Sequence, residues 1–267
     1  MNFLEQALSF IFTAANWGGP AGLTARILEH LQYTAIAVFF SALIAVPLGM
    51  IIGHTGRGTF LVVTGVNALR ALPTLGVLLL GVLLWGLGLI PPTVALMLLG
   101  IPPLLAGTYS GIANVDPAVV DAARSMGMTE RRILLRVETP NALPLILGGL
   151  RTATLQIVAT ATVAAYASLG GLGRYLIDGI KVREFYLALV GALMVTALAL
   201  ILDAALAFAV WASVPGAGRL GGRRMPQPLL GDEVALESRS RVGSQGSSRS
   251  TFEARHEPGE PSPTVEG

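Results

Sequence analysis

Apolar and polar positions along this chain fall into long blocks rather than a fine alternation. Between residues 27 and 115 the charged side chains are Glu29, Arg57 and Arg70 alone. A water-soluble core does not sustain so low a charge density over such a length, whereas a bilayer core asks for about 20 mostly apolar residues per helix. Five runs meet that demand, at residues 31–52, 60–89, 93–112, 145–169 and 186–211. The pattern predicts an all-α integral membrane protein of about five transmembrane helices, with the membrane domain at residues 27–214. Residues 1–26 form a separate N-terminal segment. Its apolar start, residues 1–15, reads as a short helix at the membrane surface or a partial span. It lacks the basic leader of a secretory signal and carries Glu5.

Prolines punctuate these runs. Pro47 predicts a kink in the first, Pro73 a bend in the second, and Pro102-Pro103 a break in the third, because proline removes a ladder hydrogen bond and its ring clashes with the preceding turn. The fourth run is rich in small residues, among them Ala153, Ala159, Ala161, Ala164 and Ala165, which let helix backbones approach closely.

The polar segments set the orientation. One side of the membrane would hold Arg57, Arg124, Arg131, Arg132, Arg136, Arg219, Arg223 and Arg224, and the other Arg26, Arg174, Lys181 and Arg183. The larger set belongs in the cytoplasm, which places the N-terminus outside and the C-terminus inside. Residues 215–267 carry 14 of the chain's 34 charged side chains and few large apolar ones, so a disordered cytoplasmic tail is expected there.

Composition then narrows the chemistry. The chain is 53% apolar and 13% charged, with no cysteine, which excludes disulfides, thiol catalysis and thiolate metal sites. The arginines are scattered between apolar spans, not gathered into a nucleic-acid-binding patch. The single lysine, Lys181, is followed by Val182, so no phosphate-binding loop exists and any ATP must be hydrolysed elsewhere. No G-x-S-x-G is present to support serine hydrolysis. Of the three histidines, His54 reads as a solvated residue of a Gly-rich turn. No catalytic residue and no metal ligand set is expected.

The informative polar stretch is the loop at residues 114–141. Asp116 is placed to cap a helix whose first residue is Pro117, Gly127 fits the left-handed position that ends it, and Thr129 can cap a second helix that Thr139-Pro140 would stop. Ala122 and Ala123 leave a shallow surface just before the glycine, suited to insertion into a cleft of another protein.

Asp121-Ala122-Ala123, then Gly127, then Val137-Glu138-Thr139-Pro140 resembles the EAA loop of bacterial ABC importer permeases, with Asp121 in place of the usual Glu and Thr139 in place of the usual Leu. The segments Arg70-Ala71-Leu72-Pro73-Thr74, Gly107-Thr108-Tyr109-Ser110-Gly111-Ile112, Gly149-Leu150-Arg151-Thr152-Ala153-Thr154 and Gly170-Gly171-Leu172-Gly173 are similar to its osmoprotectant branch, which imports glycine betaine, carnitine, choline and related quaternary ammonium compounds. That resemblance implies a type I importer permease fold in the bacterial cytoplasmic membrane. It implies a second permease, identical or homologous, cytoplasmic ATPase subunits that carry the ATP and Mg, and an extracytoplasmic substrate-binding protein. Asp121, Ala122, Ala123, Gly127 and Met128 would then be the ATPase-docking residues.

Further site candidates follow from burial and position. An ionisable group inside a span is a functional candidate because burying it is costly. Arg70 beside the Pro73 bend, with Tyr109, is the candidate pathway or gate, although a structural role for Arg70 is favoured. Arg151 and Asp203 are expected to reach the cytoplasmic face by snorkelling. Gly170, Gly171 and Gly173 open the largest outward loop, the candidate docking surface for the binding protein. Tyr33, Trp85, Tyr109 and Tyr166 are scattered singly and form no cage for a quaternary ammonium ion, so selection is expected to reside in the binding protein. Rival cargoes are methionine, taurine or a phosphonate. A rival of another class, an ion-coupled carrier, would show paired intramembrane charges or inverted repeats, and neither is visible in the sequence.

Overall fold

A computed structural model describes residues 2–167 and 169–214; the expected tail, 215–267, lies outside the described residues. Every element among the described residues is helical. Helix α1, Phe3–Phe12, begins where the Asn2 backbone N–H donates to Glu5, and it packs on the last helix with Ala7 buried against Leu23 and Val190. Helix α2, Leu23–Thr55, rises about 50 Å at 1.5 Å per residue. Gly56 ends it at φ 64° with its N–H on the Ile52 carbonyl, a left-handed cap that costs glycine little.

Helices α3, Thr59–Ala71, and α4, Thr74–Trp85, meet at an angle of 78°. Pro73 disfavours the helical region for the residue before it, and Leu72 accordingly sits extended at φ −71°, ψ 126°. Helix α5, Ile90–Ala113, is different. It runs unbroken through Pro102 and Pro103, contrary to the expected break. Both prolines are buried, because α5 is the central helix and packs against α2, α3, α4 and α8. Neighbours on all sides hold the backbone helical despite the lost ladder bonds, and Ser41 of α2 donates to the Met97 carbonyl in the turn ahead of the prolines.

Helix α6 spans Pro117–Ser125 and α7 spans Glu130–Ile133. Helix α8, Thr139–Thr160, was expected to be separated from α7 by a stop at Thr139-Pro140, but the path stays helical from Glu130 to Ala167. A π turn at Leu134–Glu138 joins them: the Leu134 carbonyl accepts from the Thr139 N–H and also from its hydroxyl at 2.7 Å. Pro140 then lies in the first turn of α8, where its missing N–H is least costly. A 3-10 stretch, Ala161–Ala167, follows, and then α9, Gly173–Lys181, and α10, Phe185–Ser213.

Small residues set the interhelical spacing. A Cβ added to Gly107 of α5 would stand 2.8 Å from the Gly149 Cα of α8, and one on Gly149 would stand 3.0 Å from the Pro103 carbonyl oxygen. In a membrane such close packing, more than exclusion from water, drives helix association. Leu43, Leu83, Leu200 and Phe208 stay exposed, as hydrocarbon-facing positions should. Four helical stretches, Leu23–Thr55, Ile90–Ala113, Glu130–Ala167 and Phe185–Ser213, are long and apolar enough to cross a bilayer, and the bent α3/α4 pair makes a fifth when counted as one broken span.

Candidate functional site

The loop between α5 and α8 is built from local signals. The Asp116 carboxylate accepts from the Ala118 N–H at 2.9 Å, and Pro117 occupies the first helical position of α6. At the other end Gly127 takes φ 79°; its N–H reaches the Arg124 carbonyl at 3.0 Å, and the Met128 N–H reaches the Ala123 carbonyl at 3.2 Å. These two bonds form a Schellman cap. Thr129 makes no side-chain cap on α7.

Around this helix Asp121, Ala122 and Gly127 are exposed and Met128 is half-buried, but Ala123 is buried at 2% exposure. Ala123 therefore packs α6 against its own chain, contrary to the expectation from sequence that it lines an outer surface with Ala122. The outward face of α6 instead combines Val119, Ala122 and Met126, at spacings of three and four residues that share one side of a helix. Val119 and Met126 were missed, although an apolar residue at those spacings in an otherwise polar loop is a readable signal.

A chain of polar contacts ties α6 to the end of α2. Arg124 donates to Asp121 at 2.8 Å and, with two nitrogens, to Glu130 of α7 at 2.8 and 3.1 Å. Glu130 first, and Asp121 after it, hold the Arg124 guanidinium more firmly protonated than usual. Glu130 lies 3.3 Å from Nε2 of His54, whose Nδ1 is 2.7 Å from the buried Glu138 of the π turn. His54 is thus largely enclosed between two carboxylates and is not a solvated turn residue. Nothing in sequence pairs positions 54 and 138, which are 84 residues apart. Among the described residues no group of three or more His, Asp or Glu side chains has metal-holding geometry.

Arg70, Pro73 and Tyr109 do not come together. Arg70 and Pro73 are exposed at one end of α3, while the half-buried Tyr109 approaches Thr59 at the other end, about 16 Å away along the helix. Arg151 of α8 and Asp203 of α10 form a bidentate pair, Nε to Oδ1 at 2.6 Å and Nη2 to Oδ2 at 2.8 Å. They hold each other in place of snorkelling separately, and a paired charge between spans exists where none was visible in sequence.

Gly171 and Gly173 are buried and Gly170 is half-buried. The Gly171 N–H donates to Glu29 of α2 at 2.7 Å, and a Cβ on Gly173 would collide with the Thr162 backbone. These glycines pack the loop inward, and the exposed surface beyond them is the turn at Val182, Arg183 and Glu184. Nearby, Phe10, Tyr175 and Tyr186 cluster, with the Phe10 ring centroid 5.9 Å from that of Tyr175 and 6.3 Å from that of Tyr186.

Residues 45–210, well over half of the chain and including the whole α6 to α8 loop, match the family described as binding-protein-dependent transport system inner membrane component. The chain belongs to that family. This binding-protein-dependent transport component is 36% identical to the glycine betaine/carnitine/choline transport system permease protein OpuCB of Bacillus subtilis, over 76% of the chain and 92% of that relative. It is 35% identical to the choline transport system permease protein OpuBB of Bacillus subtilis, over 69% of the chain and 85% of the relative. It is 34% identical to the osmoprotectant import permease protein OsmY of Salmonella typhimurium, over 72% and 86%. Its fold is that of the MetNI methionine ABC transporter in inward-facing conformations, with a TM-score of 0.62 at 20% identity, covering 72% of the chain and 96% of that structure's chain. The permease is therefore an all-α, multi-pass inner-membrane protein with the type I ABC importer fold.

Proposed function

We propose that this chain is the membrane-spanning subunit of an ATP-driven importer of osmoprotectants: glycine betaine, carnitine, choline or a related quaternary ammonium solute. The observation that carries the cargo is the agreement among relatives at 34–36% identity, whose names specify choline, glycine betaine, carnitine or osmoprotectant. Cytoplasmic ATPase subunits hold the ATP and Mg and receive the exposed face of α6, with Asp121, Ala122, Gly127 and Met128 joined by Val119 and Met126; Ala123 sets the helix from behind. The N-terminus lies outside and the C-terminus in the cytoplasm. A second permease, identical or homologous, completes the pathway, to which Arg70 contributes near the Pro73 bend and Tyr109 at the opposite end of α3, and a binding protein docks on the α9 to α10 turn.

In the working cycle, closure of the ATPases on ATP displaces α6. The Arg124–Glu130–His54–Glu138 chain passes that displacement to the inner end of α2 and to the start of α8. The spans then tilt from inward-facing to outward-facing, the binding protein releases its solute, and hydrolysis resets the subunits. Isothermal titration of the partner binding protein with glycine betaine, choline and methionine tests the cargo. Micromolar-range binding of a quaternary amine is expected, and binding of methionine alone would refute it.

The Arg151–Asp203 pair is one specific observation on the side of an ion-coupled carrier, since such carriers use paired charges in the membrane. Transport in proteoliposomes that persists without the ATPase would favour that second reading.

A further inference from the structure

The sequence offers no obvious aromatic cage, because Phe10 lies far along the chain from Tyr175 and Tyr186. Folding brings the three together at the rim that the proposed topology places outside. An open hollow of about 450 Å³ is lined by Phe10 of α1, Tyr175 of α9 and Tyr186 of α10, with residues 18–22 along another side. That segment is nearly side-chain-free: a Cβ on Gly18 or Gly19 would meet no atom within 4 Å, so the space beside the rings is open. The Tyr186 hydroxyl donates to Glu184 at 3.3 Å, which brings a carboxylate to the same wall.

A second cavity of about 190 Å³ adjoins the first and shares Ala21, Tyr175 and Leu187 with it. Its polar lining is Arg26, Arg174 and Asp178. Arg26 spends Nη1 on Glu29 at 2.9 Å, and Arg174 spends Nε on Asp178 at 2.7 Å. Each guanidinium carries five N–H donors in a fork suited to carboxylates, so donors remain beyond these bonds.

Rings and arginines in adjoining hollows match the two ends of one kind of molecule. A trimethylammonium group cannot donate hydrogen bonds and is held by ring faces, while a carboxylate is held by charge-assisted bonds from Arg. We propose that the outer rim of this permease carries a two-part subsite for a zwitterionic quaternary ammonium solute, with Phe10, Tyr175 and Tyr186 taking the ammonium end and Arg26 and Arg174 the carboxylate end. The proposal rests on the osmoprotectant reading and orientation above, and adds that this chain itself prefers betaines over choline, which lacks the carboxylate.

The test uses the full permease with its ATPase in lipid nanodiscs and no binding protein. Trp85→Phe and Trp211→Phe leave Trp17, beside Gly18 at the cavity wall, as the permease's single tryptophan, and the ATPase emission, recorded on the same complex with Trp17→Phe added, is subtracted. Titration with glycine betaine or carnitine is expected to give a saturable change, with choline and acetate about tenfold weaker. Tyr186→Leu weakens glycine betaine and choline alike. Arg174→Gln weakens glycine betaine and carnitine and leaves choline where it was, a crossed pattern that loss of folding does not produce. Absence of saturable binding to the wild type, or equal effects of both variants on every ligand, overturns the subsite. Uptake by the same complex with its binding protein separates the two claims. Glycine betaine uptake without rim binding removes the subsite and keeps the cargo; rim binding with no uptake of any quaternary amine keeps the subsite and removes the cargo.

Discussion

His54 joins the C-terminal end of α2 to both sides of the loop that leads into α8, through Glu130 and Glu138. Replacing it with Ala breaks that link without touching the outward face of α6. Substrate-stimulated ATPase activity of the reconstituted complex is expected to fall about tenfold, a coupling loss typical of a severed link between two sites. His54→Gln, which keeps one polar contact, should recover part of it. Unchanged stimulation in His54→Ala would show that displacement of α6 takes another route. Gly127→Trp acts differently: a large side chain at φ 79° is strained and distorts the Schellman cap, so stimulation should be lost while the spans remain inserted in the membrane. Full uptake by that variant would remove the loop from coupling. These positions differ in how far sequence discloses them. Asp116, Pro117 and Gly127 act within a dozen residues, and their cap chemistry is readable in one dimension. Ala123 shows the limit, since the rotation of α6 about its axis depends on what it packs against. His54 and Glu138 meet only through the fold.

The junction of α3 with α4 and the middle of α5 each hold a proline signal, and they answer it differently. Pro73 lies among exposed residues, with nothing to hold Leu72 helical, and the chain bends by 78°. Pro102 and Pro103 are enclosed by neighbouring helices, and α5 stays straight enough to be one element. The break was legible where the surroundings were thin and misleading where they were dense. The seam between α5 and α8 gives the corresponding prediction. Gly149→Leu must place its Cβ 3.0 Å from the Pro103 carbonyl oxygen, and overpacking of this kind costs roughly 1–3 kcal/mol. A fall in detergent unfolding midpoint relative to wild type is expected, whereas Gly148→Leu, which meets nothing within 4 Å, should leave the midpoint unchanged. The Arg151–Asp203 pair between α8 and α10 is tested by exchange. Arg151→Asp and Asp203→Arg should each lower the yield of folded protein, and the double variant should restore it. Failure of the exchange would mean that each residue serves a partner other than the other.

Taken whole, the molecule places the polar network of α6, α7 and the π turn at one end of its bundle, at the far end of α2 from the aromatic and arginine hollows beside its start. A reporter active only outside the cytoplasm, fused after Ala212, should be silent, and activity there would invert the proposed orientation. The membrane-spanning architecture was legible because apolar runs of bilayer length leave few alternatives, and the EAA-like spacing pointed to the family. The aromatic cluster was not legible, since Phe10, Tyr175 and Tyr186 lie on three elements whose adjacency depends on packing. The central claim is that this permease moves quaternary ammonium solutes only when driven by a separate ATPase and fed by a binding protein. Its most direct test is uptake of radiolabelled glycine betaine and choline into ATP-loaded proteoliposomes holding the permease, with and without the ATPase and with and without the binding protein. Saturable uptake of at least one of them that requires all three components is the predicted result. Uptake that persists without the ATPase, or transport of methionine and of neither quaternary amine, would contradict it.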